Sequence, residues 1–136
     1  MPDITIRPIG LVRSSLTSLE AAPRQGDEGA PEAWLELDSA VQEGLTGVTV
    51  GAHLIVLTWL HLAQRDVLLV HPRGDLDRPW TGVFSTRSPD RPNPLGLHQV
   101  TVLEVAGGRL RVAPLEAIDG TPIVDIKPVL GPLETR

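Results

Sequence analysis

Arg87 and Arg91 stand four residues apart in a run that also holds Pro89, Pro92, Asn93 and Pro94. A guanidinium group presents a planar fork of donors that suits carboxylates and phosphates and stacks on bases. Proline lacks a backbone donor, fixes its own φ and drives the residue before it toward extended geometry. Ser88-Pro89, Arg91-Pro92 and Asn93-Pro94 therefore read as a stiff, extended loop with little hydrogen bonding of its own. Such a loop loses little entropy on ordering and holds its arginines in place before a ligand arrives. Arg91 and Asn93 are its candidates for contact with a substrate. On these residues alone, a rigid connection with solvated arginines is the simpler reading.

Other reactive side chains narrow the chemistry mainly by what they exclude. His53 and His61 share parity in one apolar run, and their spacing of eight residues spans roughly 26 Å of strand, too far to share an ion. With no cysteine and no close histidine pair, no metal site is expected. His53 reads as a packed or hydrogen-bonded strand residue. His61 ends the run, where barrels expose binding residues. Glycine-rich dinucleotide fingerprints, a nucleophile elbow and a phosphate loop are all absent from the sequence. Asp119-Gly120 reads as a turn, and Glu116 lies just before it.

The elements that must position these residues are short. Thirteen glycines and thirteen prolines punctuate the chain at close intervals, as in a protein of many strands and turns. Strands are expected at Ile4 to Val12, Ala33 to Leu37, His53 to Leu62, Val67 to Val70, Gly82 to Thr86, His98 to Val105, Arg109 to Leu115 and Pro122 to Ile126. The His53 run is apolar enough to be buried on both faces. Gly107-Gly108 marks a hairpin. Asp38 starts the one convincing helix, over Ser39 to Glu43, and Gly44 ends it. The pattern predicts an all-β fold: a small single-domain β-barrel with at most one or two short helices, covering residues 1–136.

Composition agrees with a globular chain: 136 residues, 41% hydrophobic, with no apolar run long enough to cross a membrane as a helix. The N-terminal MPDITIRPIG has neither the basic nor the apolar region of a secretion signal, so a cytoplasmic protein is expected. The net charge of −5 argues against a broad nucleic-acid surface but not against a local one. Eleven of the twelve basic residues are arginine. Arg65, Arg73, Arg78, Arg87 and Arg91 fall in the central third, among Asp66, Asp75, Asp77 and Asp90.

The run from Gly82 to Leu97, GVFSTRSPDRPNPLGL, resembles the signature of the TrmO family (also called TsaA-like or YaeB-like), which reads roughly GVFATRSPxRPNPIGL. Ile9 to Ser14 followed by Pro23-Arg24-Gln25 is similar to the family's IGVIRS…PRQ, and Asp119 to Pro128 to its DGTPVxDIKP. The blocks come in family order and span nearly the whole chain. Two departures stand out: Val129 replaces the family's common tyrosine, and only eight residues follow Pro128 where longer members carry a C-terminal extension.

The resemblance implies a β-barrel that uses S-adenosyl-L-methionine to methylate N6 of threonylcarbamoyladenosine in the anticodon loop of tRNA. It further implies a homodimer. It assigns the cofactor to Arg24, Gln25 and Gly26, His61 and Leu62, Arg87, Leu97, and Pro114, Leu115 and Glu116. Arg24 would pair with the cofactor carboxylate, and Glu116 would accept from ribose hydroxyls or attract the sulfonium or amino group. Asp119 is the first carboxylate to test as a general base. The same cofactor site would also serve a methyltransferase of a small molecule or another RNA, or a non-catalytic module that senses S-adenosyl-L-methionine. The surplus of apolar strand face around His53 to Leu62 and His98 to Val105 gives a physical reason for pairing of subunits.

Overall fold

A computed structural model describes residues 2–17 and 30–131. Among the described residues there are eight strands: β1 (Gly10–Arg13), β2 (Ala33–Leu37), β3 (His53–Trp59), β4 (Leu69–Val70), β5 (Thr81–Gly82), β6 (Leu95–Ala106), β7 (Arg109–Ala113) and β8 (Pro122–Pro128). Six close into a barrel in the order β1-β2-β7-β6-β3-β8, and every neighbouring pair is antiparallel. Closure leaves the barrel without a free edge. β4 and β5 form a separate two-stranded ribbon.

Alternation along the strands builds the core. Val12, Leu35, Val56, Val100, Val102, Leu110, Val112 and Ile123 all turn inward and are almost fully buried. Each such side chain contributes about 1.5–3 kcal/mol by leaving water. Gly10 has no room for a side chain, because a Cβ would lie 2.2 Å from the Glu36 carbonyl oxygen of the neighbouring strand. Gly107 takes a positive φ of 63° in the two-residue turn that joins β6 to β7. Both strands of that hairpin, and β2, fall close to where the sequence puts them.

Other elements differ. The first strand is confined to Gly10–Arg13, and Ile4 and Ile6 are exposed. β3 ends at Trp59, so His61 lies in the turn beyond it. β3 buries Leu54, Val56 and Thr58 on one face, while Ile55, Leu57 and Trp59 on the other are only half-buried. The expected helix is a 3-10 helix over Ser39–Leu45; it runs through Gly44, and Asp38 gives it no side-chain cap. Gly82 to Thr86 is not a strand. β5 is two residues long and Val83–Ser85 turns as a 3-10 helix, capped by the Thr86 hydroxyl on the Val83 carbonyl at 3.0 Å.

The antiparallel closure sorts the connections into two sets. β1, β3 and β7 all run toward one end of the barrel, and β2, β6 and β8 all start there. Residues 60–94 and 114–121, and the connection from β1 to β2, therefore leave and return at that end. The opposite end holds the 3-10 helix and the Gly107-Gly108 turn.

Candidate functional site

The three sequence blocks that carry the family resemblance meet at this one end. The arginine-proline loop leads into β6, the Asp119 turn leads into β8, and the strand of Ile9 to Ser14 runs into it as β1. The predicted residues Arg24, Gln25 and Gly26 lie outside the described residues. His61, Leu62, Arg87, Arg91, Asn93, Leu97, Pro114, Leu115, Glu116 and Asp119 all belong to connections or strand starts at this end.

The arginine-proline loop is densely hydrogen-bonded, contrary to the reading from prolines alone. Arg91 Nη1 donates to the Thr86 and Ser88 carbonyls at 3.0 and 2.9 Å, and Nη2 donates to the Val83 carbonyl at 2.7 Å. Arg91 thus supplies the donors that a proline-rich backbone lacks. From outside, Arg65 donates to the Pro92 carbonyl and to Asn93 Oδ1, both at 2.8 Å. The Gln64 amide donates to Asp90 Oδ1 at 2.9 Å, the Arg91 amide to the Gln64 carbonyl at 3.0 Å, and the Leu60 amide to the Pro94 carbonyl at 2.8 Å. The turn after β3 and the loop before β6 are therefore fastened together.

Among the described residues, Arg87 and His61 have no hydrogen-bond or ion-pair partner. Both are exposed, as are Leu62 and, on the outer face of β6, Leu97. Arg87 is the cation that this fastened loop leaves available.

The connection after β7 is stitched to the flanks of the β1-β2 connection. The Leu115 amide donates to the Pro31 carbonyl at 3.0 Å, and the Asp119 amide to the Leu16 carbonyl at 2.7 Å. Asp119 Oδ1 accepts from the Ser14 amide at 3.0 Å, and Oδ2 lies 4.0 Å from Arg13 Nη1. Leu115 is buried, and Glu116 is turned to the rim with 15% of its side chain exposed.

Glu116 also reaches a group that sequence reasoning missed. Its Oε1 accepts from His98 Nδ1 at 2.5 Å, and His98 Nε2 lies 2.7 Å from Thr58 Oγ1. His98 and Thr58 are buried inside the barrel. The signal was present: Val100 and Val102 point inward, and stepping back by two along β6 puts His98 and Gly96 inward too. Arg65 gave no comparable signal, because its partners come from a loop nearly thirty residues on.

Two clefts among the described residues bear on the site. One, of about 370 Å³, lies beside Asp119 and is lined by Arg13, Ser14, Ser15, Glu32, Ala33, Trp34 and Arg111. The Arg111 guanidinium there is held above its ordinary pKa by hydrogen bonds to Glu104 and then Glu32. The other, of about 460 Å³, is lined largely by apolar residues under the 3-10 helix at the opposite end. Neither is lined by Arg87, Leu97, His98 or Glu116. Among the described residues no group of three His, Asp or Glu side chains is close enough to hold a metal ion, and no helix is long and apolar enough to cross a membrane.

The tRNA-methyltransferase O N-terminal domain family matches residues 11–133. A protein of Methanothermobacter thermautotrophicus named "Probable S-adenosyl-L-methionine-binding protein" is 47% identical over 126 residues, which cover 93% of this chain and 90% of that one. An Archaeoglobus fulgidus protein named "S-adenosyl-L-methionine-binding protein" is 43% identical over 122 residues, 90% of this chain and 86% of its own. The crystal structure of TrmO from Pseudomonas aeruginosa shares 30% identity and a TM-score of 0.71 across 93% of this chain. The chain spans 56% of that TrmO chain. By sequence across most of its length and by the arrangement of its barrel, this chain belongs to the tRNA-methyltransferase O N-terminal domain family.

Proposed function

We propose that this chain binds S-adenosyl-L-methionine at the loop end of the barrel and transfers its methyl group to tRNA, at N6 of a threonylcarbamoyladenosine in the anticodon loop. The observation that carries the reading is the meeting of the three family blocks at one barrel end, beside a rim carboxylate, Glu116, and an Arg87 that has no partner among the described residues. The donor set fits the cofactor. Arg87 suits its carboxylate as a charge-assisted fork, Glu116 suits its ammonium or ribose hydroxyls, and exposed Leu62 and Leu97 suit the face of its adenine. Arg24, Gln25 and Gly26 belong to its methionine portion by family position, and His61 to the same site.

When bound, the cofactor supplies an activated methyl group on a sulfonium. The chain's own task is to hold the acceptor nitrogen in line with it, and such positioning supplies at most about 7–11 kcal/mol of the barrier. Asp119 is the carboxylate assigned to take the proton that the acceptor nitrogen loses; its bond from the Ser14 amide holds it in place. Asn93, and Arg91 behind it, shape the loop that meets the substrate. The exposed Leu95 and Leu97 on β6, next to half-buried Leu57 and Trp59 on β3, form the face through which two copies pair. Two arginine-proline loops would then give tRNA, met in the cytoplasm, a longer cationic surface than one acidic chain offers.

One observation favours a second reading. Both relatives named above, which match this chain over most of their own length, carry names that state binding of S-adenosyl-L-methionine. Under that reading the chain methylates a small molecule or another RNA, or only senses the cofactor. Incubation with methyl-labelled cofactor and bulk tRNA separates the two. Label in a tRNA nucleoside supports the first; cofactor binding with no label in tRNA supports the second.

A further inference from the structure

His98 is the one histidine that the barrel buries, with 4% of it exposed, and its ring is bonded on both sides. The arrangement in which every donor has an acceptor puts the ring proton on Nδ1, donating to Glu116, while Nε2 accepts from the Thr58 hydroxyl. Thr58 is fully buried, and among the described residues its hydroxyl has no other polar partner. A hydroxyl and an imidazole inside a small barrel are costly compared with apolar side chains of the same volume. They are tolerated here because the chain of bonds is complete from Thr58 through His98 to Glu116.

The neighbouring strand is shaped around this chain. A Cβ on Gly96 would lie 2.4 Å from Thr58 Oγ1 and 2.7 Å from His98 Nε2, so the Thr58–His98 bond needs the bare backbone of Gly96. The far end of the chain is Glu116, which uses Oε1 for His98 and, among the described residues, has no hydrogen-bond partner on Oε2 at the rim. A glutamate normally loses considerable rotamer freedom when it is fixed by a ligand.

The geometry assigns His98 as a positioning residue: it fixes the Glu116 carboxylate in advance, so that its free oxygen faces S-adenosyl-L-methionine at the barrel rim. This role rests on the cofactor reading above. Glu116 makes the contact, and His98 acts only through it, with Thr58 holding the ring. An apolar residue at 98 frees the carboxylate, and its rotamer freedom then opposes binding by about tenfold in affinity.

The test is calorimetric titration of S-adenosyl-L-methionine into the parent chain and variants whose fold is checked by circular dichroism. His98→Leu keeps the volume and is expected to weaken binding about tenfold. His98→Asn places an amide donor near the position of Nδ1 and is expected to restore most of the affinity. In a Glu116→Ala background, His98→Leu is expected to have no further effect, because the two residues act as one unit. Thr58→Val provides the same comparison should His98→Leu fail to fold: it weakens binding in the parent background and not in Glu116→Ala. Parent-like affinity in folded His98→Leu, or an undiminished loss in the Glu116→Ala background, overturns the positioning role alone. A parent chain that takes up no S-adenosyl-L-methionine overturns the cofactor reading and this role with it.

Discussion

Arg65 donates from Nη2 to Asn93 Oδ1 over 2.8 Å, across 28 residues of chain, while its guanidinium lies 5.0 Å from the ring centre of Trp59. A side chain in the turn after β3 thereby fixes the loop that starts β6. Lysine cannot keep this arrangement, because a point charge lacks the planar fork and the stacking face. Arg65→Lys is expected to cost only about 1 kcal/mol of global stability, since the pair is exposed. Hydrogen exchange at the Arg91 amide, which bonds the Gln64 carbonyl, is expected to accelerate much more than exchange in the barrel strands.

Arg91 and Arg87 should separate cleanly under mutation. Arg91→Ala removes the donors for three loop carbonyls and is expected to lower stability by about 2–4 kcal/mol, read as a shifted urea midpoint with an unchanged slope. Arg87 is exposed and has no partner among the described residues, so Arg87→Ala is expected to change stability by less than about 0.5 kcal/mol. Calorimetry on the same Arg87→Ala protein is expected to show cofactor affinity reduced about tenfold, through loss of one charge-assisted contact.

Gly96→Ala tests the packing around the buried histidine. The new methyl group meets Thr58 and His98 well inside contact distance, and the expected loss is about 1–3 kcal/mol in thermal or denaturant unfolding. An equivalent change at Gly44, where a Cβ meets nothing within 4 Å, is expected to be close to neutral.

The sequence shows most of the barrel and much of its site, and the misses have a common cause. β2 and the Gly107-Gly108 hairpin follow from alternation and turn chemistry, which are local. β6 hides its meaning because polarity inverts along it: Val100 and Val102 face in as expected, but toward the rim Leu95 and Leu97 face out and His98 faces in. Hydrophobicity alone assigns those residues to the wrong faces, and only the period of two carried back from the core corrects it. The His53 strand reads as doubly buried for the same reason, since Ile55, Leu57 and Trp59 form an apolar outer face that this chain leaves half open. The arginine-proline loop shows its stiffness in its prolines but not its fastening, which depends on carbonyls gathered by Arg91 and on Arg65 from a distant turn.

Asp119→Asn keeps an acceptor for the Ser14 amide while removing the carboxylate. If Asp119 receives the proton of the acceptor nitrogen, the methyl-transfer rate is expected to fall by about 100-fold or more, with cofactor affinity little changed. A steady-state assay that varies tRNA and cofactor separately distinguishes this from a fall in binding.

The most direct test of the central claim, that the loop end of the barrel is the cofactor site, is a map of amide hydrogen exchange with and without S-adenosyl-L-methionine. Added protection is expected in residues 60–65, 85–97 and 114–121, and none in the Ser39–Leu45 helix or the Gly107-Gly108 turn at the opposite end. Protection confined to that opposite end, or centred on the apolar cleft beneath the Ser39–Leu45 helix, would contradict it.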